Sequence, residues 1–173
     1  VRYELTREKY LNDAELSALL LTFSKFEVSD FRNVCLLRLA LETGSRASEL
    51  LNLTAHDFDY KGNAIYVHGL KGSSDRWIPL RPLLAGQLFS LPLSIDGHPF
   101  AIGYKRLFDI WQLYKPCDKR FHSLRHTFAL NLFRKSSDIH LVQRALGHRS
   151  LVTTSIYMTY SYGLPEMRKA MGL

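Results

Sequence analysis

Between Asp30 and Gly44 the chain carries Val34, Cys35, Leu36, Leu37, Leu39, Ala40 and Leu41, a helix-length run with almost no polar face. A helix that is apolar all round must be surrounded, so the rest of the chain has to wrap it. Ser29 or Asp30 is placed to cap its start, and Gly44 to end it. Upstream, Asn12 or Asp13 precedes Leu16, Leu19, Leu20 and Phe23, which fall at i, i+3, i+4 and i+7 on one helical stripe. The period changes from His56 to Leu80. Phe58 with Tyr60, Ile65 to Val67, and Trp77 with Ile78 favour strands, separated by the turn sequences Lys61-Gly62-Asn63 and Gly72-Ser73-Ser74-Asp75. A three-stranded antiparallel meander is expected, closed by Pro79 and Pro82. Helical patterning resumes at Leu83, and again over residues 104–113, 123–135, 138–146 and 150–160, with a short piece over 165–171. The expected fold class is α+β: a mostly helical domain with a small three-stranded antiparallel sheet on one side.

Nothing in the 173 residues reads as a linker or repeat, so one domain spans 1–173. Lys and Arg number 23 against 16 Asp and Glu, a net charge of +7, which favours a polyanionic partner, nucleic acid before membrane. No apolar run reaches the ~18 residues of a spanning helix, and the opening Val-Arg-Tyr-Glu-Leu is too polar for a signal peptide. Cys35 and Cys117 lie far apart without C-x-x-C spacing, which argues against a disulfide framework and suits a cytoplasmic location. A start at Val1 rather than Met suggests that an N-terminal part has been cut away. The phosphate-binding loop, the dinucleotide fingerprint and H-E-x-x-H are all missing, so no cofactor is expected. His122 and His126 are four apart on a helix, but no carboxylate or cysteine nearby completes a metal site, and none is assigned.

Several residues fit neither core nor surface patterning. Arg46 follows the helix-ending Gly44 in Thr43-Gly44-Ser45-Arg46-Ala47-Ser48-Glu49-Leu50. Arg125 shares a stripe with Phe128, Ala129 and Leu132 in the helix opened by His122-Ser123-Leu124-Arg125-His126. Leu146-Gly147-His148 ends another helix, Tyr157 lies nine residues on, and Lys71 sits at the tip between two strands. The stretches TGSRASELLNL, GLKGSSDRWIPL, HSLRHTFALNLF and LVQRALGHRSLVTTSIYMTY, in that order, resemble the catalytic domain of the tyrosine recombinases, the phage-integrase and Xer-type family. The resemblance spans nearly the whole chain. It implies an arginine pair Arg46 and Arg125, a hairpin lysine Lys71, two histidines His122 and His148, and the nucleophile Tyr157. Ser45 stands where the family usually has Leu or Met, and Phe121 where Pro is common. The segment from Lys71 to His122 is shorter than in many members. The family's N-terminal helical domain, which completes a clamp around DNA, is missing here, and the chain reads as an excised catalytic domain.

These residue types suit phosphodiester chemistry. Two guanidiniums can hold the non-bridging oxygens through forked hydrogen bonds and stay charged. A free phenol, with a pKa of about 10, is only ~0.1% ionised at pH 7, so Tyr157 needs a base or a cationic pocket, which His122 or His148 could supply. A lysine on a hairpin tip can protonate the leaving 5′ oxygen. By resemblance, the product is a 3′-phosphotyrosyl link that conserves the bond's energy, so rejoining needs neither ATP nor metal. Glu49, three residues after Arg46, is assigned to structure, with an ion pair to Arg46 expected. Tyr160 and Tyr162 are rival nucleophiles, and the sequence pattern selects Tyr157. The function implied is site-specific recombination or integration on double-stranded DNA by a homotetramer acting on two sites. Two other readings are a type IB topoisomerase-like enzyme that nicks and reseals, and a catalytically silent DNA-binding relic. The segment over 165–171 carries Leu164, Met167 and Met171 on one stripe, which would pack on its own domain or dock on a neighbouring protomer.

Overall fold

The apolar run forms helix α2 (Phe31–Thr43), and the chain does wrap it: Val34, Cys35, Leu36, Leu37, Leu39 and Ala40 are all at most 1% exposed. The computed structural model describes residues 5–70, 72–161, 167–168 and 171–173. Of the two candidate caps for α1 (Asp13–Phe26), Asn12 takes the role. Its side chain accepts the Glu15 amide at 2.7 Å while Glu15 accepts the Asn12 amide at 2.8 Å, a reciprocal capping box. Helix α2 ends at Gly44, whose φ of +61° favours glycine. A Cβ there would also come within 2.4 Å of the Phe128 ring, so space and backbone both require the absent side chain. The short helix α3 (Ala47–Leu51) follows directly.

The sheet consists of β1 (Phe58–Asp59), β2 (Ala64–Val67) and β3 (Arg76–Pro79) in the order β1-β2-β3, antiparallel throughout. Ile65 pairs with Phe58 on one side and Ile78 on the other, so the three apolar side chains share the buried face. Two expectations are corrected here. Tyr60 is not in the first strand: the Asp59 side chain accepts the amides of Lys61 and Gly62 and starts the turn one residue early. Pro79 does not close the meander but is the last residue of β3. Leu80 donates to Asn63 at 2.7 Å, so position 79 faces off the free edge of the sheet, where a missing N–H costs nothing.

Helices α4 (Pro82–Phe89), α5 (Tyr104–Tyr114), α6 (Ser123–Ser136) and α7 (Ile139–Leu146) complete the body around α2 and fall where their periodicity placed them. The single helix expected over 150–160 is instead two, α8 (Leu151–Thr154) and α9 (Ile156–Ser161). At the joint the Met158 amide bonds back only three residues, to Ser155, and the Ser155 hydroxyl donates to the Val152 carbonyl. The segment expected to be helical over 165–171 lies mostly outside the described residues. Most buried apolar residues form one core around α2. A smaller cluster, with Ala129, Leu130 and Phe133 of α6 and Val142 and Leu146 of α7, also takes in Tyr157 of α9. No helix among the described residues is long and apolar enough to cross a membrane.

Candidate active site

The turn after α2 sets the first element of the site. Thr43 Oγ1 donates back to the Leu39 carbonyl at 2.7 Å and accepts the Ser45 amide at 3.2 Å, which delivers Arg46 to the first position before α3. Glu49 reaches back to accept the Arg46 amide at 2.7 Å. The ion pair expected between these two side chains exists, at 3.3 Å, but it is not the principal one. Arg76, at the start of β3, grips the Glu49 carboxylate at both oxygens, at 3.1 and 2.9 Å, with both residues buried. Burial alone would raise the pKa of Glu49, yet the hydrogen bonds and charge of Arg76, with smaller contributions from the Arg46 amide and Arg125, hold it below the usual carboxylate range. Its oxygen also lies 3.9 Å from Arg125. Three guanidiniums thus gather around one carboxylate, which leaves the cluster cationic.

Arg125 projects from α6 to where two helices end. It donates to the carbonyl of Gly44, after α2, at 2.7 Å, and to that of Leu146, the last residue of α7, at 2.8 Å. Carbonyls at helix C-termini lack intrahelical donors and carry the negative end of the helix dipole, so a cation is favoured there. Burial and the neighbouring Arg46 push the Arg125 pKa down to about 9, which leaves it charged at neutral pH.

The turn after α7 holds the β2–β3 hairpin. Ser74 donates to the Gly147 carbonyl at 2.8 Å, Ser73 and His148 form an isolated antiparallel bridge, and Arg76 Nε donates to the Ala145 carbonyl at 2.7 Å. Arg46 Nη1 also donates to Ser73 Oγ. Within the hairpin, Asp75 accepts the Gly69 amide at 2.7 Å and the Tyr66 hydroxyl at 3.0 Å. Lys71 itself lies outside the described residues.

His148 Nδ1 is hydrogen-bonded to the buried Thr154 Oγ1 at 2.9 Å, which sets the imidazole's orientation. Tyr157, 1% exposed, is hydrogen-bonded through Oη to His126 Nδ1 at 2.9 Å, and His126 meets the His122 ring edge-on at 4.8 Å between centroids. Burial, then the nearby cations, holds His148 down at about 3. His126 is also held at about 3, by burial and then by His122 and Arg125. His122, although exposed, is pushed to about 4 by desolvation among its neighbours and then by Arg125 and Arg46. All three rings are therefore neutral at pH 7, able to accept or donate a hydrogen bond but not to add charge.

Arg46, His122, Arg125, His126, His148 and Tyr157 line one cavity of about 590 Å³. Five of the six residues singled out in the sequence are thus brought together. Arg76, His126, Ser73 and Thr154 were not anticipated as part of this arrangement. Arg76 had a readable signal: it shares the inward face of its strand with Ile78, and a charge there demands a buried partner. His126 had none, because which of two histidines on one helix meets the phenol depends on how α9 packs on α6. Chemically, the cavity offers cations for an anion beside a phenol and neutral imidazoles.

The α+β fold with this small sheet is that of the tyrosine recombinase catalytic domain. The crystal structure of the XerH site-specific recombinase bound to difH substrate, a pre-cleavage complex, superposes with a TM-score of 0.72 at 27% identity, covering 99% of this chain and 55% of that one. The catalytic domain of bacteriophage HP1 integrase shares the fold at 22% identity, with a TM-score of 0.67 and 93% of each chain covered. In sequence, the chain is 32% identical over 167 residues to tyrosine recombinase XerA of Pyrococcus furiosus, covering 88% of this chain and 57% of XerA. It is 30% identical over 179 residues to tyrosine recombinase XerC of Staphylococcus aureus, covering 87% of this chain and 58% of XerC. Residues 9–91 and 108–163 match the phage integrase family, and the chain belongs to that family. It spans somewhat over half the length of these two curated relatives.

Proposed function

We propose that this chain is the catalytic domain of a site-specific DNA recombinase or integrase that cuts and rejoins duplex DNA through a tyrosyl intermediate. The observation that carries the reading is the convergence of Arg46, Arg125, His122, His148 and Tyr157 on one cavity. A phosphodiester seated there meets Arg46 and Arg125, whose charge offsets the negative charge on the phosphoryl oxygens in the transition state. Arg125 is held rigidly by the two carbonyls, so its remaining N–H groups are organised before substrate arrives. Tyr157 Oη attacks phosphorus, the bond to the 5′ oxygen breaks, and the protein is left joined to a 3′ phosphate. Lys71, which lies between β2 and β3 in the sequence, is the expected donor of a proton to the leaving oxygen. His122 and His148, neutral and lining the cavity, hydrogen-bond the phosphoryl oxygens. Rejoining reverses these steps with another strand's 5′ hydroxyl and requires no metal or ATP. On two DNA sites the working assembly is a homotetramer.

A duplex nicked near the cleavage point, which loses its 5′ fragment after cutting, tests the reading. The protein is expected to form an adduct that survives detergent and vanishes with protease, in the presence of EDTA. Tyr157→Phe is expected to abolish the adduct with DNA affinity nearly unchanged, whereas Tyr160→Phe retains it. An adduct that persists in Tyr157→Phe overturns the assignment.

A further inference from the structure

The sequence offered His122 or His148 as the base for Tyr157, whereas the imidazole hydrogen-bonded to its phenol is that of His126. Both groups are buried, at 1% and 6% exposure, and their polar atoms meet at 2.9 Å. His122 meets the His126 ring edge-on, and His148 Nδ1 is hydrogen-bonded to Thr154. In the neutral tautomer that carries its proton on Nε2, Nδ1 is an acceptor, and the phenol O–H donates to it.

We propose that His126 is a catalytic residue of the cleavage step, the acceptor of the Tyr157 proton. As Oη bonds to phosphorus and the bond from phosphorus to the 5′ oxygen breaks, the phenol proton passes to His126 Nδ1. The 5′ oxygen leaves with a proton from a separate donor, for which Lys71 is expected. In rejoining, the imidazolium returns its proton to the departing phenolate. This inference rests on the proposed tyrosyl chemistry.

The groups that face the ring come from several elements: Tyr157 of α9, His122 and Arg125 of the same helical segment, His148 from the turn after α7, and Lys9 from the N-terminal 3-10 turn. Burial and the positive groups among these hold the ring's pKa down. A phosphodiester brings negative charge to Arg46 and Arg125. It would thereby offset part of what opposes protonation, so the ring becomes a better base when substrate is bound.

The test compares wild type with His126→Asn, whose side-chain oxygen can occupy the place of Nδ1 and accept the hydrogen bond but cannot take the proton. Adduct formation on the nicked duplex is measured in single turnover from about pH 6 to 9. Loss of a general base is expected to slow the folded variant by about 10²–10⁴-fold. Its rate should then climb about tenfold per pH unit, because the phenol must ionise into solvent, while wild type stays nearly flat. A folded His126→Asn that cuts within a few-fold of wild type with the same pH profile overturns the proposal, since a positioning hydrogen bond alone would be rescued. If that variant does not fold, the nitrogen resonances of His126 in the otherwise native protein decide. An unprotonated Nδ1 whose signal moves in Tyr157→Phe supports the acceptor role, and a protonated Nδ1 overturns it. Absence of a Tyr157 adduct in wild type would instead remove the parent reading, a distinguishable result.

Discussion

Glu49 organises the site without lining its cavity. It is 2% exposed and receives two hydrogen bonds from Arg76, one from the Arg46 backbone and one from the Arg46 side chain. Removing one member of a buried ion pair leaves the other charge uncompensated, typically at about 3–5 kcal/mol. Glu49→Ala is therefore expected to lower unfolding free energy by about that amount in urea titration, and a loss below about 1 kcal/mol would show that Arg76 finds other compensation. The histidines add a pH dependence. His126 has a folded pKa of about 3 against about 6.5 in the unfolded chain, so between these values the unfolded state binds the extra proton. The share of stability due to His126 should be full above about pH 6.5 and fall by about 1.4 kcal/mol per pH unit as acid is added, with His148 and His122 adding losses of the same sign. Glu49, with its pKa lowered, adds a further loss only below the ordinary carboxylate range. His126→Phe should flatten the slope of unfolding free energy between pH 6.5 and 5 by one proton's worth. An unchanged slope would mean that His126 is not held neutral by the fold.

At the scale of elements, the β2–β3 hairpin is attached to the turn after α7 through backbone atoms, and Gly147 is where they meet. Its φ is +69°, and a Cβ would lie 2.6 Å from the Ser74 carbonyl oxygen and 2.9 Å from Arg76 Nη1. Gly97 is a built-in control, with φ of +78° and nothing within 4 Å of an added Cβ. Both Gly→Ala changes incur the left-handed backbone penalty, roughly 1–2 kcal/mol. Only Gly147→Ala also pushes the hairpin off its dock, so it is expected to destabilise further and to slow adduct formation by at least about tenfold, whereas Gly97→Ala should cut at the wild-type rate. Equal cutting rates for the two variants would mean that hairpin docking does not position chemistry. The same reasoning explains why Ser73, bonded to Arg46 and bridged to His148, belongs to the positioning apparatus.

For the whole molecule, the core and the charge act separately. Leu37, fully buried on α2, does not line the cavity, and Leu37→Ala should cost about 2–5 kcal/mol of stability with little effect on the cutting rate of the folded fraction. The net charge of +7 predicts weak duplex binding that falls steeply with salt, with a log–log slope of about −0.9 per phosphate neutralised. Salt-independent binding, measured by fluorescence anisotropy, would contradict a phosphate-tracking surface.

Local chemistry made most of the fold legible. The apolar run of α2, the glycine that ends it, the period change over the sheet and the Asn12 cap each act within a few residues, so they can be read in order along the chain. The boundaries that shifted, at Tyr60, Pro79 and Ser155, were decided by one or two local hydrogen bonds or by which strand edge faces outward. The site residues were legible as types and spacings, but their partnerships were not. Arg76 lies 27 positions from Glu49, and Tyr157 lies 31 from His126. Helical spacing allows both His122 and His126 to face a neighbour, and only the packing of α9 against α6 brings His126 to the phenol. Ion pairs and proton partners between distant segments depend on where whole elements come to rest, and periodicity along the chain carries no information about that separation.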